Sequence, residues 1–273
     1  VVARLRRLAK TRKVGHGGTL DPMATGVLVL AVGRITRLLT FVTGCDKSYA
    51  ATIRLGQATV TDDAEGDVTA SVDTNAVSES DIDAALSPMR GAIEQVPSAV
   101  SAVKIDGKRA YKRVRDGEDV QLTARPVTIS RLDVTAVRRA EHLDVDVIVD
   151  CTSGTYIRAI ARDLGSALGV GGHLTALRRT RVGGFTLDEA RGLDALAEAE
   201  TPITHSTLDT VRRLMPTRDV TADEARKLGY GQKLTPIGNP GPYAAIGPDD
   251  AVIAILSESH NRTRSEVVLA PAG

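Results

Sequence analysis

Between His142 and Cys151 the chain alternates two kinds of residue: Leu143, Val145, Val147 and Val149 in one phase, Asp144, Asp146 and Asp150 in the other. A repeat of two belongs to an extended strand, so one face of this segment must lie on a core and the other toward polar surroundings. Val127 to Val137 shows the same alternation, and the two segments read as antiparallel strands. Beyond Gly154 the repeat changes to that of a helix, with Tyr156, Ile157, Ile160, Ala161, Leu164 and Leu168 forming an apolar stripe. Ser48 to Gly56 predicts another strand and Leu174 to Thr180 a further one. Ser78 to Met89 predicts a helix capped at Ser80, with Ile82, Ala85, Leu86 and Met89 facing inward. Two more helical candidates lie in IEQVPSAVSAVKIDGKRAYKRVRDG, broken by Pro97 and Gly107. Strands and helices mix without a regular strand–helix repeat, which predicts an α+β fold.

Val2, Leu5, Leu8 and Ala9 recur at helical spacing at the start of the chain, so it opens inside an amphipathic helix. No cap or strand signal precedes that helix, and the expectation is an incomplete N-terminal segment. Toward the other end, acidic LDEARGLDALAEAE leads into TPITHSTLDTVRRLMPTRDV and then into a Gly/Pro-rich tail with strand signals at VIAILSE and SEVVLA. This pattern predicts a main domain over residues 1–209 and a small β-rich module over 210–273.

Thirty-five Lys and Arg oppose thirty-four Asp and Glu, so net charge neither demands nor excludes a polyanionic partner. The charges are segregated, however. Arg4, Arg6, Arg7, Lys10, Arg12 and Lys13 occur with no acid among them, and Lys104, Lys108, Arg109, Lys112, Arg113 and Arg115 form a second basic run. Asp62, Asp63, Glu65 and Asp67 form an acidic cluster. Two cysteines, Cys45 and Cys151, exclude a disulfide framework or a cysteine-based zinc site and suit a reduced cytosol. The longest apolar runs, Val27 to Val32 and Ala251 to Leu256, are too short to cross a bilayer.

Chemistry concentrates in GHGGTLDPMATG, where Gly15, Gly17 and Gly18 allow tight turns and His16 and Asp21 supply functional groups. The segment lacks the Gly-Lys-Ser/Thr order of a phosphate loop and the glycine spacing of a dinucleotide site, so no nucleotide cofactor follows. Asp21 before Pro22 also suits an ordinary turn or helix start. Arg158, on the later helix, is a possible ion-pair partner for Asp21, but sequence separation gives no distance.

GHGGTLDPMATGVLVLAVGRITR closely resembles the catalytic motif of the TruB-type tRNA pseudouridine synthases, which convert uridine 55 in the T loop of transfer RNAs. DKSYATIRLGQATVTDDAEGD, PSAVSAVKIDGKRAYKRVRDG, RPVTI and CTSGTYIRAIARDLG resemble further blocks of that family in order and spacing, over about residues 1 to 181. The resemblance implies a mixed, largely antiparallel pseudouridine synthase sheet followed by a small PUA-like RNA-binding domain. It implies that Asp21 is the nucleophile, that Arg158 holds its carboxylate and that Tyr49 packs against the target base. By the same resemblance His16 helps to organise the flipped-base site, Tyr156 shapes its surroundings and Leu177 forms an apolar wall. Lys104, Lys108, Arg109 and Lys112 are expected on a helix plus loop that clasps RNA phosphates. The implied partner is the tRNA T arm, met by a cytoplasmic monomer with no membrane association, obligatory protein partner, cofactor or metal. Two departures stand out: the usual Lys-Pro segment before the first helix is absent, and Gly17 occupies a position where the family commonly carries a side chain, which leaves room for altered loop dynamics.

Overall fold

The computed structural model describes residues 1–98 and 122–271, together with the backbone pairing of Lys104–Ile105 with Lys108–Arg109. Its strands are β1 (Val14–His16), β2 (Thr25–Gly26), β3 (Leu30–Val32), β4 (Lys47–Leu55), β5 (Gln57–Thr59), β6 (Val68–Ser71), β7 (Gly91–Gln95), β8 (Lys104–Ile105), β9 (Lys108–Arg109), β10 (Arg125–Arg139), β11 (Leu143–Cys151), β12 (Gly172–Val182), β13 (Phe185–Thr186), β14 (Thr217–Asp219), β15 (Tyr243–Ile246), β16 (Val252–Ser259) and β17 (Arg262–Val268). The helices are α1 (Val2–Leu8), α2 (Leu39–Gly44), α3 (Glu79–Leu86), α4 (Ile157–Ala167), α5 (Leu193–Glu198), α6 (Thr207–Leu214) and α7 (Ala222–Gly229). They divide into two compact units: residues 20–27 with 46–182, and residues 1–19 with 28–45 and 183–273.

In the first of these units the strands run in the order β12-β4-β11-β10-β7, each antiparallel to its neighbour, with β2 parallel along β12. The alternation read in the sequence sets the two faces. Leu143, Val145, Val147 and Val149 are buried with Ile53, Leu55, Ile82, Leu86, Ile160 and Leu164, so α3 and α4 share one core with the sheet. On the opposite face the aspartates find cross-strand partners: Arg54 grips both oxygens of Asp144 at 2.8 and 3.0 Å, Thr52 donates to Asp146 at 2.7 Å, and Ser48 donates to Asp150. Polar pairs of this kind satisfy a sheet face that no helix covers.

Three local expectations are corrected. Ser78, not Ser80, caps α3; its hydroxyl accepts from the Asp81 N–H while the Asp81 carboxylate accepts from the Ser78 N–H, and Asp83, the acid three residues after Ser80, accepts instead from Arg90 at 2.8 Å. Ile93–Gln95, at the start of the stretch expected to carry helices, belongs instead to the edge strand β7, paired with β10 from Gln95↔Arg125 to Gly91↔Ile129. The sheet partner overrides weak helical spacing in a short segment that ends just before Pro97. Lys104–Arg109 forms the antiparallel ladder β8–β9 instead of a helix.

In the other unit β1 and β3 pair from Val14↔Val32 to His16↔Leu30, and β14-β15-β16-β17 form a separate sheet. Both faces of β15 and β16 are covered. Ala244, Ile246 and Ile255 join a cluster with Leu38, Val211 and Leu269, while Tyr243, Ala245 and Leu256 join Val220, Leu228 and Leu234. That double coverage explains the unbroken apolar run at VIAIL. Gly17 is closely packed: a Cβ there would stand 2.3 Å from Val42 Cγ1, and the Gly17 N–H donates to the Val29 carbonyl at 2.9 Å.

The 237–239 loop is fixed by one carboxylate. Glu258 accepts from the N–H groups of Ile237, Gly238 and Asn239 at 2.9, 2.9 and 3.1 Å and from the Tyr243 hydroxyl at 2.7 Å. Burial pushes the Glu258 carboxyl up, but these donors outweigh it and hold the group below its ordinary value of 4.5. A carboxyl depressed on folding stabilises the native state above its unfolded pKa, and that contribution is lost as pH falls through the folded value. Glu258→Gln is therefore expected to lower the melting temperature near neutrality, with the deficit shrinking as the scans move from about pH 7 toward about pH 3. A deficit that stays constant over this range would show that the ionised carboxylate is not what holds the loop.

Candidate active site

Asp21 lies on a turn closed by the Ala24 N–H donating to its backbone carbonyl at 2.9 Å. It caps no helix, so the ordinary capping role open to an Asp-Pro pair is not the one used. Met23 and Ala24 pack on the core that contains Tyr49 and Leu177, which anchors the bend on the sheet and leaves the Asp21 side chain 31% exposed.

The second half of the site comes from α4. Its apolar stripe faces the sheet, which puts Arg158, one residue into the helix, against the bend with its side chain only 7% exposed. Arg158 Nη2 donates to Asp21 Oδ1 at 3.1 Å. Arg158 Nη1 donates to the Thr61 carbonyl at 2.9 Å and lies 3.3 Å from Asp63 Oδ2. Two carboxylates thus flank one buried guanidinium. Asp63, whose side chain is 3% exposed, offsets the buried positive charge, and the more open Asp21 keeps a carboxylate at the surface of the site.

Asp63 is itself locked. Its Oδ1 accepts from Thr61 Oγ1 at 2.5 Å and from the Glu65 N–H at 3.1 Å, and its carbonyl accepts from Thr59 Oγ1 at 2.8 Å. The loop is tied to β12 where the Leu174 N–H donates to the Asp62 carbonyl at 3.0 Å. The start of α4 has no side-chain cap of its own. Gln95 fills that need, donating to the Tyr156 carbonyl at 3.1 Å and accepting from the Tyr156 N–H at 2.8 Å.

Tyr49, on β4, is 8% exposed and stands opposite Val149 on β11 and Arg179 on β12. Burial pushes its phenol above the ordinary value, the Arg179 guanidinium opposes that push, and the charge of Asp21 is felt there too. Leu177, 6% exposed, sits in the same core.

The structure therefore brings Asp21, Arg158, Tyr49 and Leu177 into one unit, with Tyr156 leading into α4. His16 is an exposed residue of β1 in the other unit. Lys112 lies outside the described residues, and of Lys104, Lys108 and Arg109 only the backbone pairing is described. Sequence reading registered Asp63 only as part of an acidic cluster. The signal that could have found it is the need of a buried Arg158 for more than one carboxylate. Among the described residues no group of His, Cys, Asp and Glu is arranged to hold a metal ion, and no helix is long and apolar enough to cross a membrane.

Comparison with known proteins places this geometry. The TruB family pseudouridylate synthase N-terminal domain matches residues 6–157, the tRNA pseudouridylate synthase B C-terminal domain matches residues 158–219, and the tRNA pseudouridine synthase II C-terminal domain matches residues 215–270. The chain belongs to the TruB family. The tRNA pseudouridine synthase B of Mycolicibacterium paratuberculosis is 58% identical, with 100% of this chain and 93% of that protein covered. That of an Arthrobacter species is 54% identical, with 100% and 92% covered. Among solved structures, a Cbf5-Nop10-Gar1 complex contains a chain that matches at a TM-score of 0.73 and 24% identity, covering 99% of this chain and 80% of that one. An H/ACA RNP bound to a substrate RNA containing 2'-deoxyuridine contains one at 0.72 and 23%, covering 99% and 80%. These two likenesses establish a shared α+β fold, and the family model supplies the TruB C-terminal domain.

Arg158→Lys keeps the positive charge but cannot reach Asp21 and the Thr61–Asp63 loop with two separate arms. Loss of one charge-assisted hydrogen bond is worth about 1.5–3 kcal/mol, or roughly 10- to 160-fold in turnover. That loss is the expected result at saturating RNA; near-normal turnover would sink the geometric role of Arg158.

Proposed function

We propose that this chain isomerises uridine 55 in the T loop of tRNA to pseudouridine, with Asp21 as the nucleophile. The observation that carries this reading is a partly exposed carboxylate held by a buried arginine that a second, buried carboxylate balances, on a bend packed against the core that contains a buried tyrosine. The full-length likeness to proteins named tRNA pseudouridine synthase B supports the substrate and the reaction.

The reaction breaks the bond between ribose C1′ and uracil N1, makes one between C1′ and C5, and in balance moves a proton from C5 to N1. An ionised Asp21 can start it by adding to C1′ or by removing a proton from C2′ to give a glycal; either route frees the uracil to turn. Arg158 keeps the carboxylate oriented through a charge-assisted bond. Tyr49 is placed to pack beside C5 and to assist proton transfer directly or through water. The uridine must first leave its stack, at a cost of about a few kcal/mol, so the site must supply replacement contacts. In this reading Leu177 and Tyr49 bound the extracted base, His16 organises its capture, Tyr156 shapes the surroundings, and Lys104, Lys108, Arg109 and Lys112 contact phosphates. A hollow lined by Lys13, Arg34 and Arg37 adds further positive charge suited to phosphate. The chain acts as a cytoplasmic monomer, with residues 1–209 as the catalytic domain and 210–273 as a small RNA-binding module.

Purified protein incubated with a T-arm RNA, followed by chemical mapping of pseudouridine at every position, tests the reading. The expected outcome is conversion at one T-loop position by the parent chain, and RNA binding without conversion by Asp21→Asn. Conversion by Asp21→Asn would reject it as the nucleophile, and its absence from the parent would reject the function. His16→Ala is expected to reduce conversion of the folded T arm more than that of an already exposed uridine; equal losses on both RNAs would remove His16 from base capture.

A further inference from the structure

Arg179 is the bulkiest of the fully buried side chains among the described residues, 1% exposed, and the chemistry above gives it no task. A buried guanidinium is tolerated where its donors are used. Arg179 Nε donates to the Val27 carbonyl at 2.8 Å, and Arg179 is the cross-strand neighbour of Tyr49, whose phenol feels the guanidinium. The backbone makes the same connection: the Arg179 carbonyl accepts from the Val27 N–H at 2.8 Å. Gly26 lies so close to that carbonyl that a Cβ would stand 2.1 Å from it, and its φ of +98° is one that side chains resist. In register terms β2 runs along β12 with Arg178↔Thr25 and Arg179↔Gly26. One residue thus grips the return arm of the bend that carries Asp21 and, across the strand pair, the tyrosine beside it.

We infer that Arg179 is a positioning residue of the reaction, setting the Tyr49 phenol and the return arm of the Asp21 bend in one fixed register. The inference rests on the proposed roles of Asp21 and Tyr49. A guanidinium carries donors only, so toward Arg179 the phenol oxygen can act only as an acceptor. Lysine would keep the charge and lose the planar fork that reaches two acceptors at once. The groups that act on the Tyr49 phenol are Arg179 from β12, Cys151 from β11 and Asp21 from the bend. Burial raises the phenol and Arg179 counteracts this, so loss of Arg179 moves its ionisation to higher pH.

The test uses the full chain and two readouts. Ultraviolet titration without RNA follows phenol ionisation, and Tyr49→Phe identifies which of the five tyrosines is being watched. In Arg179→Met the Tyr49 ionisation is expected at higher pH than in the parent. Turnover at saturating T-arm RNA is expected to fall roughly 10- to 100-fold with KM within about two-fold, and Arg179→Lys is not expected to restore it. Because the two side chains act together, Tyr49→Phe combined with Arg179→Met should lose less than the product of the single losses. If melting curves show Arg179→Met unfolded, Arg179→Gln, which retains a donor without the charge, takes its place in the same measurements. An unmoved Tyr49 titration, or losses that multiply, overturns the inference. The titration requires no turnover: if it is unmoved while Asp21→Asn is inactive, this inference alone falls. If Asp21→Asn turns over normally, the functional reading falls and the inference, which depends on it, goes with it.

Discussion

A positive charge buried between two negative ones organises the catalytic unit. Arg158 sits at the start of a helix whose apolar stripe is committed to the sheet, so its guanidinium is carried into a region with little water. There a lone guanidinium would be costly, and a single carboxylate partner would be neutralised along with it. Asp63 and the Thr61 carbonyl take up one side of the fork and Asp21 the other. The trio retains one net negative charge, with its more open end at the Asp21 bend. The same ion pairs that make burial tolerable therefore leave the bend a carboxylate held in one orientation.

Rigidity behind this trio comes from main-chain contacts more than from further charges. The acidic loop is fastened to β12 through Leu174, the helix start is bracketed by Gln95, and the bend rests on the core through Met23 and Ala24. The first two fastenings use backbone groups that would otherwise lack a partner, and the third is apolar packing. An electrostatic site held in this way needs little rearrangement as charge develops during reaction.

The parts legible in the sequence were those with a long, regular repeat. Leu143 to Val149 and the stripe from Ile157 to Leu164 located the sheet, the covering helix and the face between them. Several motif blocks then pointed to Asp21, Arg158 and Tyr49, three residues that lie in one unit of the structure. Gln95 and Asp63 were not legible as site residues, because each acts through a contact across a large sequence separation: Gln95 with the Tyr156 backbone and Asp63 with Arg158. Neither partner is marked by local spacing. The segment Ile93–Gln95 was misread for a related reason, since a strand of five residues carries too little periodicity to outweigh a neighbouring strand. At Ser78 the capping box itself was readable, with Asp81 three residues on, but the competing serine at position 80 obscured it.

The seat of Gly17 against Val42 couples two positions that look independent in the sequence. A relative with a bulkier residue at the first must trim or displace the aliphatic group at the second. In this chain a side chain at position 17 therefore calls for a compensating change or shift at Val42.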